Sequence, residues 1–181
     1  PENAGIAVNE RGATVVDKRL HTTADNIWAM GDVTGGLQFT YISLDDYRIV
    51  RDELLGEGKR STYDRKNVPY SVFMTPPLSR VGMTEEQARE SGADIQVVTL
   101  PVAAIPRARV MNDTRGVLKA IVDNKTQRML GASLLCVDSH EMINIVKMVM
   151  DAGLPYSILR DQIFTHPSMS ESLNDLFSLV K

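Results

Sequence analysis

The chain has 181 residues and a formal net charge of −3, with 43% hydrophobic and 24% charged side chains. Those proportions are close to the averages of soluble globular proteins and allow a core, so disorder is not the default reading, and the slight acidity argues against a nucleic-acid-binding surface. No apolar run approaches the roughly 18 residues of a membrane span, the polar start is no secretory signal, and the single cysteine, Cys136, rules out an internal disulfide, which fits a reducing, cytoplasmic location.

From the N-terminus, residues 4–17 read as two short extended pieces around the turn Asn9-Glu10-Arg11-Gly12. Ile27-Trp28-Ala29-Met30 is a continuous apolar run ending at Gly31-Asp32, the pattern of a buried strand running into a loop. Residues 42–55 have helical spacing. Ile42, Tyr47, Ile49, Val50 and Leu54 fall on one broad face, with Asp45 and Asp46 in the first turn. Residues 56–67, GEGKRSTYDRKN, carry little to bury and are expected to be a solvated linker and domain boundary.

Beyond it, Tyr70 to Met74 and Leu78 to Met83 are extended pieces separated by Pro76-Pro77, and Thr84-Glu85-Glu86-Gln87 has the capping-box spacing of a short helix reaching about Gly92. Residues 95–102 are rich in strand formers, and 116–123 with 128–136 predict a hairpin around Asp123-Asn124-Lys125-Thr126. Asp138 and Glu141 are a candidate capping pair for a helix built on Met142, Ile145, Val146, Val149 and Met150, which Gly153 and Pro155 end. A shorter helix is expected over 157–163, and a last one from Ser168 using Leu173, Leu176, Phe177 and Val180. Strands segregated from helices predict an α+β fold, a mostly antiparallel sheet packed against helices.

Two stretches carry chemistry. In TTADNIWAMGDVTGG, residues 22–36, Gly31-Asp32 places a carboxylate at the end of an apolar run, where open α/β sheets bind ligands. An ionised Asp32 only accepts hydrogen bonds and suits sugar or ribityl hydroxyls, and the following helix would aim backbone N–H groups at an electron-rich group. Taken alone, Gly-Asp also marks an ordinary turn. In FTHPSMSESLNDL, residues 164–176, His166 can transfer protons near neutrality. Pro167 stiffens the chain and is a candidate for a cis bond. Glu171, five residues on, has two readings: an orienting partner for the imidazole, or a helix cap within Ser168-Met169-Ser170-Glu171. Cys136, at a strand end, reads as a buried small residue; Cys136 with His140 makes an incomplete metal site, and His21 reads as a surface residue.

Together these stretches resemble the pyridine nucleotide-disulfide oxidoreductases. The first resembles that family's second flavin-binding motif, and the His-Pro-x-x-x-Glu element resembles the end of its dimerisation domain; PYSVFMTPPLSRVGMTEEQARESG, residues 69–92, looks like the start of that domain. The resemblance spans the chain, with 1–67 the C-terminal piece of an α/β flavin-binding domain and 68–181 the dimerisation domain. It implies that Gly31 and Asp32 bind the ribityl chain of FAD, and that the backbone near Thr40 and Tyr41 lies at the flavin pyrimidine edge. Phe39-Thr40-Tyr41-Ile42 departs there from the Leu-Thr-Pro-like start of relatives. The resemblance further implies that His166 is the acid–base catalyst at the partner subunit's flavin, with Glu171 orienting it, in a homodimer that passes electrons from NAD(P)H to a small-molecule, disulfide or metal-ion acceptor.

No G-x-G-x-x-G loop and no cysteine pair is present, and Pro1 stands in place of an initiator methionine. The expectation is therefore a part of a longer enzyme, inactive and poor at holding FAD when isolated. A non-catalytic dimerisation or partner-binding module is the alternative.

Overall fold

The alternating apolar pattern of the second half folds, in the computed structural model describing residues 1–181, into one five-stranded sheet. Its strands are β1 (Tyr70–Val72), β2 (Leu78–Gly82), β3 (Ile95–Pro101), β4 (Val117–Asp123) and β5 (Met129–Leu135). They lie in the order β1-β2-β5-β4-β3, every neighbouring pair antiparallel. The predicted hairpin is β4–β5, its turn held by Asp123, whose carboxylate accepts from the Lys125 N–H at 2.8 Å and the Thr126 hydroxyl at 2.9 Å. Val81, Leu118, Ala120, Val122, Ala132 and Leu134 bury one sheet face. Against that face lie α4 (Ser139–Asp151), through Met142, Ile143 and Val146, and α6 (Ser172–Ser178), through Leu173, Leu176 and Phe177. Burial at i, i+3, i+4 intervals is what turns these stretches into helices, since short helices are marginal alone.

The short helix α2 (Glu85–Glu90) opens with the capping box read from sequence. The Gln87 N–H donates to Thr84 Oγ1 at 3.1 Å and the Thr84 N–H to Gln87 Oε1 at 2.9 Å. A helix absent from the sequence reading, α3 (Pro106–Val110), has proline at its first position, where no N–H is needed. The helix expected over 157–163 is confined to α5 (Ser157–Arg160).

Two helix starts differ from expectation. Asp138 precedes α4 with a left-handed backbone and makes no cap hydrogen bond, because side-chain capping needs an extended N-cap residue. The start is tied instead through Ser139, whose hydroxyl donates to Pro77 O at 2.9 Å and lies 2.9 Å from that of buried Ser79. Regular α6 begins at Ser172 rather than Ser168, yet both capping-box hydrogen bonds form in the turn ahead of it.

This sheet and its helices make up one of two units, Asn67–Lys181; the other is Pro1–Lys66. Its one long helix, α1 (Thr40–Leu55), begins two residues earlier than expected, leaving Asp45 and Asp46 beyond the first turn. Ile42, Ile49 and Val50 are buried, whereas Tyr47 and Leu54 are half exposed. The buried arc instead takes in Asp46, 1% exposed. The extended pieces of 4–17 meet in a single bridge, Val8 to Thr14. The run at 27–30 is not a buried strand: its ladder contact is one bridge from Trp28 to His21, and Met30 is 44% exposed. A strand is buried on both faces only within a sheet covered on both sides, and one isolated bridge makes no such sheet.

Residues 56–66 are not a solvated linker. Asp52 accepts the backbone N–H of Lys59 at 2.7 Å and of Arg60 at 2.9 Å, and Asp45 accepts from Arg60 at 2.9 Å and from Arg65 Nε at 2.8 Å. The segment is folded back on α1 by its own charges. No helix is long and apolar enough to cross a membrane.

Candidate functional site

The chemistry-bearing end of the second unit is a turn closed by its own carboxylate. Glu171 divides its two oxygens. Oε2 accepts from His166 Nδ1 at 2.8 Å, and Oε1 accepts the Ser168 N–H at 3.1 Å while the Glu171 N–H returns to Ser168 Oγ at 3.2 Å. Cap and imidazole partner are thus simultaneous roles of one side chain, and the two sequence readings are both realised in geometry. The His166 hydrogen bond, assisted by the Ser168 N–H, holds the Glu171 carboxyl below the usual carboxylate range against the opposing effect of burial. An ionised carboxylate only accepts, so Nδ1 carries the proton and Nε2 of the neutral ring keeps its lone pair. The His166 side chain is 70% exposed, whereas that of Glu171 is 17% exposed. A sheltered carboxylate therefore fixes an exposed ring through one of its two nitrogens. The His166–Pro167 peptide is cis.

Below this turn, Asn174 of α6 gathers the approaching chain. Its amide nitrogen lies 2.7 Å from Leu159 O, and 3.0 Å from both Arg160 O and Gln162 O. Met169, Ser172 and Leu173 are buried, so the turn is anchored on the core from the other side.

In the first unit, Gly31–Thr34 is one 3-10 turn that ends at Gly35. Gly31 has φ of +74°, the left-handed region that favours glycine, and a Cβ there would come within 2.8 Å of Ser43 Oγ, which would have to turn away. Its N–H donates to Asp46 Oδ2 at 2.7 Å, and the other Asp46 oxygen takes the Arg65 guanidinium. Asp32 is exposed beside this anchored glycine. Thr40 opens α1, where a backbone N–H has no acceptor inside the helix; Tyr41 follows, 41% exposed, its ring stacked on Phe39 at 5.2 Å and its phenol pKa pushed up by burial. Burial would raise the Asp45 carboxyl, but the hydrogen bond from Arg65 and the charges of Arg60 and Arg65 outweigh it and hold it low.

Asp46 and Arg65 were missed as part of this site. The available signal was an acid at the position between Ile42 and Ile49 on the apolar arc, together with bases downstream. Cys136 is fully buried, 3.9 Å from Met142 Sδ, and burial pushes its thiol up to about 12. It is a packing residue, as read. His21 lies partly exposed at the surface, with Nδ1 3.1 Å from Asp17 and Nε2 3.6 Å from Glu53. No group of three or more His, Cys, Asp or Glu side chains could hold a metal ion.

The sequence profile of the "Pyridine nucleotide-disulphide oxidoreductase, dimerisation domain" matches residues 68–177, and that of "Pyridine nucleotide-disulphide oxidoreductase" matches residues 1–46. The chain belongs to the pyridine nucleotide-disulphide oxidoreductases. Within this family it is 99% identical, over all 181 residues, to the probable pyridine nucleotide-disulfide oxidoreductase RclA of Escherichia coli, covering 41% of that protein. It is 35% identical over 172 residues to a mercuric reductase of Staphylococcus aureus, covering 95% of this chain and 31% of that one. A solved copper(II) complex of the HOCl-induced flavoprotein disulfide reductase RclA from Escherichia coli superposes with a TM-score of 0.99 at 99% identity, over the whole chain and 42% of that structure. LpdA from Mycobacterium tuberculosis shares the fold at 23% identity, with a TM-score of 0.88 over 99% of this chain and 39% of that one. The chain thus spans less than half the length of these relatives, and its antiparallel sheet with helices is the family's dimerisation fold.

Proposed function

We propose that this chain is the C-terminal part of an FAD-dependent NAD(P)H oxidoreductase of the disulfide-reductase type, cytoplasmic and homodimeric, in which 1–67 ends the flavin domain and 68–181 forms the dimer interface. The observation that carries the reading is the 2.8 Å contact between His166 Nδ1 and Glu171 Oε2, on an imidazole that is largely exposed. That is a proton donor and acceptor with a set tautomer, mounted on a capped turn. Membership of a family defined by its dimerisation domain supports the two-chain assembly.

The first unit suits FAD. Asp32 offers an exposed acceptor for ribityl hydroxyls, Gly31 allows close backbone approach, and the Thr40–Tyr41 start of α1 offers positive helix-end charge to the pyrimidine edge. Bound there, the flavin would relay electrons from NAD(P)H, through a redox cysteine pair, to a disulfide or metal-ion acceptor. The copper(II) complex of the Escherichia coli relative supports the metal-ion option. The task of this chain's own residues is narrower. Asp32 and the α1 start orient the cofactor, while His166 of one protomer takes and returns a proton through Nε2 at the partner's site and Glu171 stabilises the imidazolium.

In the full-length, FAD-loaded protein, His166→Ala is expected to lower NAD(P)H-dependent turnover by about 10²–10⁴-fold, with FAD content and dimer mass unchanged. Turnover that survives the substitution intact would refute the acid–base role and favour a non-catalytic dimerisation module.

A further inference from the structure

The charges of α1 do not cancel evenly. Its acids all have partners: Asp45 takes Arg60 and Arg65, Asp46 takes the Gly31 N–H and Arg65, Asp52 takes three backbone N–H groups, and Glu53 takes Arg19 at 3.0 Å with His21 near it. Its two bases, Arg48 and Arg51, have no acidic partner and stand three residues apart on one exposed face. Beside them Arg60 is held in place by Asp45, while its backbone N–H is fixed by Asp52.

These side chains, with Asp52, Leu55 and Gly56, line an open cleft of about 320 Å³. We infer that this cleft is a phosphate-binding site for a small phosphorylated molecule. Arg48 and Arg51 bring two positive charges without an acidic partner, Arg60 is balanced by Asp45, and Asp52 is the one carboxylate of the lining, so the cleft is net positive and suits an anion such as phosphate. Asp52 is the acid in the cleft, and its oxygens are occupied by the N–H groups of Glu57, Lys59 and Arg60 rather than by the arginine side chains. Guanidinium forks grip phosphate through paired hydrogen bonds, which a solvated lysine does less well. Leu55, 83% exposed, gives the organic part of such a ligand an apolar wall. The volume lies at the small end of ligand pockets.

The test is a calorimetric titration of pyrophosphate into the full-length, FAD-loaded protein at low ionic strength, comparing wild type with Arg48→Ala/Arg51→Ala. The expected result is one binding event per protomer that the double substitution weakens tenfold or more while leaving flavin absorbance unchanged. Arg48→Lys/Arg51→Lys should fall between the two, and Arg11→Ala, an exposed arginine outside the cleft, should match wild type. Added KCl should weaken the wild-type event. The inference is overturned by identical isotherms for wild type and the double alanine variant, by no saturable binding in wild type, or by an equal loss in Arg11→Ala.

Discussion

Phe177 and Asp46 are both withdrawn from water, one 0% and the other 1% exposed, yet opposite forces put them there. Phe177 sits in the large apolar cluster between the sheet and helices α4 and α6, where each neighbour gains by excluding water. Asp46 sits in a unit whose buried apolar cluster is Leu20, Ile49 and Val50 with Val16 and Trp28 against it. There its carboxylate clamps the Gly31 turn to α1 and to Arg65. The second unit can define its shape by packing. The first has too little apolar volume and relies on a few directional contacts to fix the glycine turn beside Asp32.

That contrast can be broken by substitution and read by amide exchange, region by region. The largest effect is expected for Phe177→Ala, which should lower the opening free energy at the Ala120 and Ala132 amides by about 3–5 kcal/mol and leave Gly31 nearly unchanged. An equal loss in both regions would abolish the distinction. Next, Asp46→Asn should lower protection of the Gly31 amide by about 2 kcal/mol with little change at Ala120. Protection retained at Gly31 would show that packing, not the carboxylate, holds the turn.

The smallest effect belongs to the His166 turn and depends on pH. The folded Glu171 carboxyl is depressed, first by the His166 hydrogen bond. Its contribution is therefore complete above the ordinary carboxylate value of about 4, and is lost as pH falls through the lower folded value. Wild type should exceed Glu171→Gln in thermal midpoint at pH 7, and the difference should close in strong acid. A difference that persists undiminished there would mean that the charged form is not what stabilises the turn.

How much of this was legible follows from how far each signal reaches along the chain. The Thr84–Gln87 cap, the Asp123 hairpin turn and the periodic faces of α4 and α6 were readable, because each depends on residues within a few positions of one another. The Asp138 cap failed because its helix start is held by Ser139 against Pro77 and Ser79, about sixty residues away. Reading 56–66 as a solvated linker failed for the same reason, since Arg60 and Arg65 find their partners fifteen to twenty residues back. The apolar run at 27–30 looked like a buried strand because composition reports what can be buried, not whether a covered sheet forms around it.

By itself, then, the order of residues determined the α+β class, the family, and His166 and Glu171 as a pair worth joining. Only the tertiary structure decided that Glu171 serves as cap and imidazole partner together, one oxygen for each, because a carboxylate's two acceptors can be assigned only once both donors have positions. Only it decided that Asp46 lies inside and Tyr47 outside, since helical spacing marks a face but the partners available to a charge determine whether that charge can be buried.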